Sequence, residues 1–187
     1  EGGDDDHRQA QHDALGDAGK DHRQGAGQLQ LPQELALCRA KGVARPDSMI
    51  AAINLARDLR PEQVSGRVIV VPCVSPEASL AFTRCWPSGA NMNRSFPGSS
   101  TGTEDEQLAD FLTRELFPRA EIVVDIHSGG RTSLCLPWSE MLWVDDPKQR
   151  RQMVDGMYAW NADWCCVYVC TSGSGLLVEE AGRQGKI

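Results

Sequence analysis

The stretch from Glu121 to Gly130 (Glu-Ile-Val-Val-Asp-Ile-His-Ser-Gly-Gly) constrains the chain more than any other. Its β-branched apolar run fits a strand covered on both faces, as in an α/β sheet. The run breaks off in Asp125, His127 and a Ser-Gly-Gly turn. In an open α/β sheet, ligands bind in the crevice outside the carboxyl ends of the strands. A polar pair placed where a buried strand runs out is therefore the first candidate for chemistry. The other histidines, His7, His12 and His22, lie in an irregular N-terminal stretch and match no spaced metal-binding motif.

The flanking pattern supports a layered α/β fold. Asp47 and Ser48 open a helix with Met49, Ile50, Ile53, Ala56 and Leu59 at three- and four-residue intervals, ended by Arg60 and Pro61. Arg67 to Pro72 then reads as a second strand buried on both faces. Residues 74–102 are irregular. Thr103 and Glu106 form a capping box that starts a helix to about Phe117, with Leu108, Phe111, Leu112 and Leu116 on one face. A strand is expected over Ser133 to Trp138, a helix from Pro147 to about Ala162, and a strand from Cys165 to Thr171. Leu31 to Leu37 is weakly apolar and predicts a short helix.

Composition excludes some functions. A pI near 5.1, a net charge of -7 and no clustered Lys/Arg stripe argue against a nucleic-acid surface. No apolar run approaches the roughly 18–20 residues that span a bilayer, and no leader pattern stands at the N-terminus. Residues 1–30 hold only Leu15 and Leu29 as large apolar side chains, so that segment is expected to be disordered. Seven cysteines, several within apolar runs, suggest buried reduced thiols in a cytoplasmic protein.

Two stretches carry candidate chemistry. Asp125 and His127 stand two apart and share a strand face. His127 reads as a metal ligand with Asp125 orienting neighbouring ligands, as a general base, or as a hydrogen-bonded surface histidine. Asn93 and Arg94 lie in a loop turned by Pro97 and Gly98. An arginine fork suits bidentate capture of a carboxylate, and a neighbouring amide suits a carbonyl; a surface ion pair is the alternative. Arg84 carries the same two readings.

Taken in order, Arg67 to Pro72, then Asn91-Met-Asn-Arg-Ser-Phe-Pro-Gly98, then Val123 to Gly130 resemble the succinylglutamate desuccinylase/aspartoacylase family, zinc-dependent deacylases. The likeness is nearest to its N-acetyl-diaminobutyrate deacetylase branch. It implies a carboxypeptidase-like α/β fold with a mixed, largely parallel sheet flanked by helices, present in part. It further implies Zn2+ as cofactor, His127 as third zinc ligand, and Asn93 and Arg94 holding the substrate's carboxylate or polarising its scissile carbonyl. Arg84 is implied to help hold substrate. The substrate implied is a small N-acylated amino acid, attacked by zinc-activated water. Oligomeric state is left open.

The chain also departs from that pattern. The family's G-x-H-G-x-E motif, source of the other two zinc ligands, is replaced by Gly42-Val-Ala-Arg-Pro-Asp-Ser48. The general-base glutamate is expected beyond Ile187, and Glu179 and Glu180 do not match it. Residues 1–45 are thus expected to be a tail, a displaced reading frame or a fusion, and residues 46–187 an incomplete catalytic domain. The rival expectation is a non-catalytic protein that binds a small carboxylate through Asn93 and Arg94. A cysteine hydrolase pairing Cys135 with His127 is a distant third.

Overall fold

Strand β1 (Glu34–Cys38) lies between β2 (Arg67–Val71) and β3 (Ile122–Asp125), and both pairings are parallel. The computed structural model describes residues 34–38, 47–128, 135–169 and 173–187. Parallel neighbours need a crossover, and α1 (Asp47–Asp58) supplies it between β1 and β2, packing against β2. The chain thus builds outward on one side of β1 and returns to its other side for β3. The order β2-β1-β3 puts a switch point between β1 and β3, with Cys38 opposite Asp125 at the carboxyl ends. Ile187 donates to the Glu121 carbonyl and accepts from Val123 N–H, the exchange made by a parallel neighbour of β3.

A second parallel pair, β4 (Trp138–Leu142) and β5 (Trp164–Tyr168), is joined through α4 (Pro147–Ala159). Asp146 caps α4 by accepting Gln149 N–H at 2.8 Å, and Pro147 fits its first turn. Ser139 Oγ donates to the Met157 carbonyl at 3.0 Å, which fixes α4 to β4. Helix α5 (Leu177–Arg183) touches both β3 and β4. The core gathers Met92, Phe96, Leu112, Phe117, Val123 and Leu177 around that junction, and the Phe96 and Phe117 rings stack at 6.1 Å.

Several expectations change. The pattern of Leu31 to Leu37 predicts a short helix, but β1 occupies Glu34–Cys38, inside the stretch expected to be a tail. Leu, Ala and Glu are good helix formers, but intrinsic propensity is a small term, and pairing on both edges overrides it. The disorder expected of residues 1–30 lies outside the described residues. Helix α1 forms as expected, but buries Ser48, Met49, Ala52 and Leu55, fully or in part, with Leu59 half-buried just past its end, while Ile50 and Ile53 remain 46% exposed. Apolar residues ring so much of α1 that periodicity alone does not choose the face; contact with the sheet does. Strand β2 is half-buried over Val68–Val71 and exposed at Arg67, rather than covered on both faces.

After the short helix α2 (Pro76–Leu80) the capping box forms, with Thr103 N–H donating to the Glu106 carboxylate and the Thr103 side chain accepting from Glu106 N–H, and starts α3 (Glu104–Phe111). A π-turn over Leu112–Leu116 and a 3₁₀ turn over Phe117–Arg119 follow. The wider turn shifts the phase, so Phe111 points to solvent while Leu112 and Phe117 enter the core. The strand expected over Ser133 to Trp138 instead starts at Trp138. Pro137 lacks the N–H a ladder needs, and residues 133 and 134 lie outside the described set. Among the described residues the thiols expected to be buried are not fully so: Cys73 and Cys85 are half-buried, and Cys135, Cys165 and Cys166 are exposed free thiols, while the side chains of Cys38 and Cys170 lie outside the described set. Strand β5 pairs only with β4 among the described strands, and its first half is uncovered. No helix among the described residues is long and apolar enough to cross a membrane.

Candidate functional site

At the carboxyl end of β3, the Asp125 side chain is 3% exposed and lies 3.0 Å, Oδ2 to Nε2, from His127. The strand ends at Asp125, yet the next two residues still return the imidazole to that carboxylate. A carboxylate on one ring nitrogen fixes tautomer and ring orientation, as around metal-ligating histidines. The first turn of α1 arrives alongside, with Ser48 Oγ 3.4 Å from Ser128 Oγ. The switch point thus joins the ends of β1 and β3 to the start of α1.

The second wall is built from loop 91–98. Asn91 Oδ1 accepts Asn93 N–H at 3.2 Å and starts a 3₁₀ turn over Met92–Arg94. On one side the loop is tied to α3: Ser95 Oγ donates to the buried Asp105 carboxylate at 2.5 Å, which also accepts Thr103 Oγ1 at 2.8 Å. On the other side it meets the turn before α5. Leu177 N–H donates to Asn93 Oδ1 at 2.7 Å, and Phe96 N–H to the Gly175 carbonyl at 3.3 Å. Because Leu177 claims Oδ1, the Asn93 amide orientation is set, and Nδ2 is left as a donor with no partner among the described residues.

Asp125, His127, Asn93, Arg94 and Arg84 all line one cleft of about 940 Å³. The structure therefore brings together every candidate from both sequence stretches. Arg94 is exposed, and Nη1 donates to the Asn93 carbonyl at 2.5 Å. Arg84 is also exposed, in a turn that Thr83 Oγ1 closes onto the Cys85 carbonyl. Cys135 lines the cleft too, but hydrogen-bonds to no described residue, so no Cys135–His127 dyad forms. Sequence reasoning missed Asp105, Gly175 and Leu177, which hold the loop rather than face the cleft. The Gly-rich turn before α5 was visible, but nothing local tied it to a loop some 80 residues earlier.

Asn93→Leu is expected to orphan the buried Leu177 N–H and to cost about 1–3 kcal/mol of stability. Urea unfolding measures it, and an unchanged midpoint would contradict this hydrogen bond.

Among the described residues, no three His, Cys, Asp or Glu side chains converge to hold a metal ion. Catalytic zinc takes three protein ligands and one open position. His127 with Asp125 beside it does not by itself fit that ion.

These features define a class: an α/β domain whose cleft, at the switch point of its parallel sheet, sets a few polar side chains in a largely apolar lining. More narrowly, the chain belongs to the succinylglutamate desuccinylase/aspartoacylase family, whose catalytic-domain model matches residues 47–187. It is 38% identical over 142 residues to the N-alpha-acetyl-L-2,4-diaminobutyric acid deacetylase of Halomonas elongata, covering 75% of this chain and 42% of that protein. It is similar to a succinylglutamate desuccinylase structure from Silicibacter sp. TM1040, with TM-score 0.74, 31% identity, and 83% of this chain and 48% of that one covered. The product-bound ectoine utilization protein EutE (DoeB) from Ruegeria pomeroyi gives TM-score 0.75 at 31% identity, covering 83% and 48%. The chain spans about half the length of these relatives.

Proposed function

We propose that this chain carries the substrate-holding wall of a zinc-dependent hydrolase that removes an acyl group from a small N-acylated amino acid. The observation that carries the proposal is the convergence of Asn93, Arg94 and His127 on one cleft in a chain of this family. The relatives include a deacetylase of acetylated diaminobutyric acid, so N-acetyl-diaminobutyrate is the natural first ligand. Asn93 Nδ2 offers an oriented donor to a carbonyl or carboxylate oxygen, and the Arg94 guanidinium keeps N–H groups beyond the one given to the Asn93 carbonyl. Arg84 adds a second positive charge at the rim.

His127, steadied by Asp125, is assigned as one metal ligand. The described residues do not add two more. Nor do they supply a general base near the C-terminus. Glu180 is held by Arg183 and Gln184, and Glu179 by Gly173 and Ser174. A second reading follows from the same observation: these 187 residues bind a small carboxylate and do not turn it over.

Zinc content and hydrolysis of N-acetyl-diaminobutyrate separate the two readings. The expected result is weak zinc binding, reduced further by His127→Ala, and no turnover. About one tightly held zinc per chain, with hydrolysis abolished by His127→Ala, would show a complete site and overturn the non-catalytic reading. Asn93→Asp adds a check: it keeps the acceptor for Leu177 N–H but loses the amide donor. It is expected to preserve stability better than Asn93→Leu while weakening carboxylate binding.

A further inference from the structure

The turn Gly173 to Leu176 holds the Asn93–Arg94 loop, and one side chain organises that turn. Glu179, in the first turn of α5, accepts Gly173 N–H at 2.5 Å on Oε1 and Ser174 Oγ at 2.9 Å on Oε2. Two donors from consecutive residues thus meet the two oxygens of one acid, closing the turn against its own helix. From the outside of that turn come three contacts to the ligand-holding loop. Leu177 N–H reaches Asn93 Oδ1 at 2.7 Å, and the Gly175 carbonyl accepts Phe96 N–H at 3.3 Å. Gly175 itself, at φ +73°, packs so tightly that a Cβ there would lie 2.5 Å from the Arg94 carbonyl oxygen.

We infer that Glu179 is a positioning residue for the cleft: by gathering the Gly173–Leu176 turn, it sets where Leu177 N–H and Gly175 meet Asn93 and Arg94. It touches no ligand itself. Its effect passes through Leu177 N–H, which decides which way the Asn93 amide faces. Partial burial pushes the Glu179 carboxyl up. The donors, with Gly173 N–H first among them, outweigh that and hold the group below the usual glutamate value, which agrees with a carboxylate that serves as an anionic hub. Its neighbour Glu180 has a different task. It is buried and held by Arg183 and Gln184, within α5.

The inference rests on the ligand-holding role proposed for Asn93 and Arg94, but its first readout does not. In Glu179→Gln, the Leu177 amide is expected to exchange with solvent about tenfold faster or more, as a charge-assisted hub is replaced by one neutral acceptor. The Asn93 side-chain amide resonances are expected to shift in the ligand-free protein. Glu180→Gln is the control, expected to loosen α5 without moving the Asn93 resonances. If Glu179→Gln does not fold, Ser174→Ala removes a single donor and is expected to give a smaller shift of the same resonances. Unchanged Leu177 exchange and Asn93 resonances in the Glu179 or Ser174 variant would overturn the inference, as would equal changes in Glu180→Gln. Titration with N-acetyl-diaminobutyrate then reads the consequence, an expected loss of about tenfold in affinity for Glu179→Gln. If the unaltered chain binds none of this probe, the proposed function fails. Glu179 is then still judged by the ligand-free signals.

Discussion

Gly98→Ala is expected to lower the unfolding free energy by about 2–5 kcal/mol. Roughly 1–2 of this comes from the left-handed backbone and 1–3 from overpacking. Gly98 adopts φ +93°, and a Cβ there would lie 2.1 Å from Asp110 N and 2.4 Å from the Glu106 carbonyl oxygen. Both obstacles are helical backbone, which does not rotate aside as a side chain does. The loop would have to lift from α3, carrying Asn93 and Arg94 with it. Gly89 supplies the comparison: it too has positive φ, +85°, but its Cβ would meet nothing within 4 Å. Gly89→Ala should therefore show only the conformational part of the cost. Urea unfolding midpoints at constant m read both, and equal losses for the two variants would contradict the close approach of Gly98 to α3.

Phe117→Ala is expected to cost about 3–5 kcal/mol, the usual range for a large buried aromatic side chain. Phe117 is fully buried, and its ring stacks on Phe96 at 6.1 Å. Phe96 stands two residues after Arg94 and follows it in the same clasped loop. The substitution therefore removes core volume and also the packing partner of the loop that carries Arg94. Phe111→Ala, six residues earlier on the exposed side of the π-turn, should change stability little. Comparable losses for the two phenylalanines would show that the shift in phase across Leu112–Leu116 is wrong.

Much of the architecture was legible because it depends on local pattern. The strands at Arg67–Val71 and Ile122–Asp125 and the helix starts at Asp47, Glu104 and Pro147 follow from β-branched runs and capping residues. What escaped depends on tertiary pairing. The sequence of Glu34–Cys38 resembles a weak helix until two strands flank it. Which face of α1 is buried is decided by the sheet. The π-turn that rotates Phe111 outward leaves no mark in a periodicity count. For the cleft, the two motifs were readable and their meeting was not, since Asn93 and Leu177 are joined by a hydrogen bond across 84 residues. The supports behind the site, Asp105, Gly175 and Glu179, looked like an ordinary helix start, a flexible turn and a surface acid. Their roles exist only once the loop has folded between α3 and α5.

The role proposed for this chain is to hold a small N-acyl amino acid through the Asn93–Arg94 wall of its cleft. Calorimetric titration of N-acetyl-diaminobutyrate into the full 187-residue chain and into its Arg94→Ala variant tests this most directly. Loss of a charge-assisted contact predicts saturable binding to the unaltered chain, weakened about tenfold or more in Arg94→Ala. Equal affinity in both proteins, or no binding to either, would contradict it.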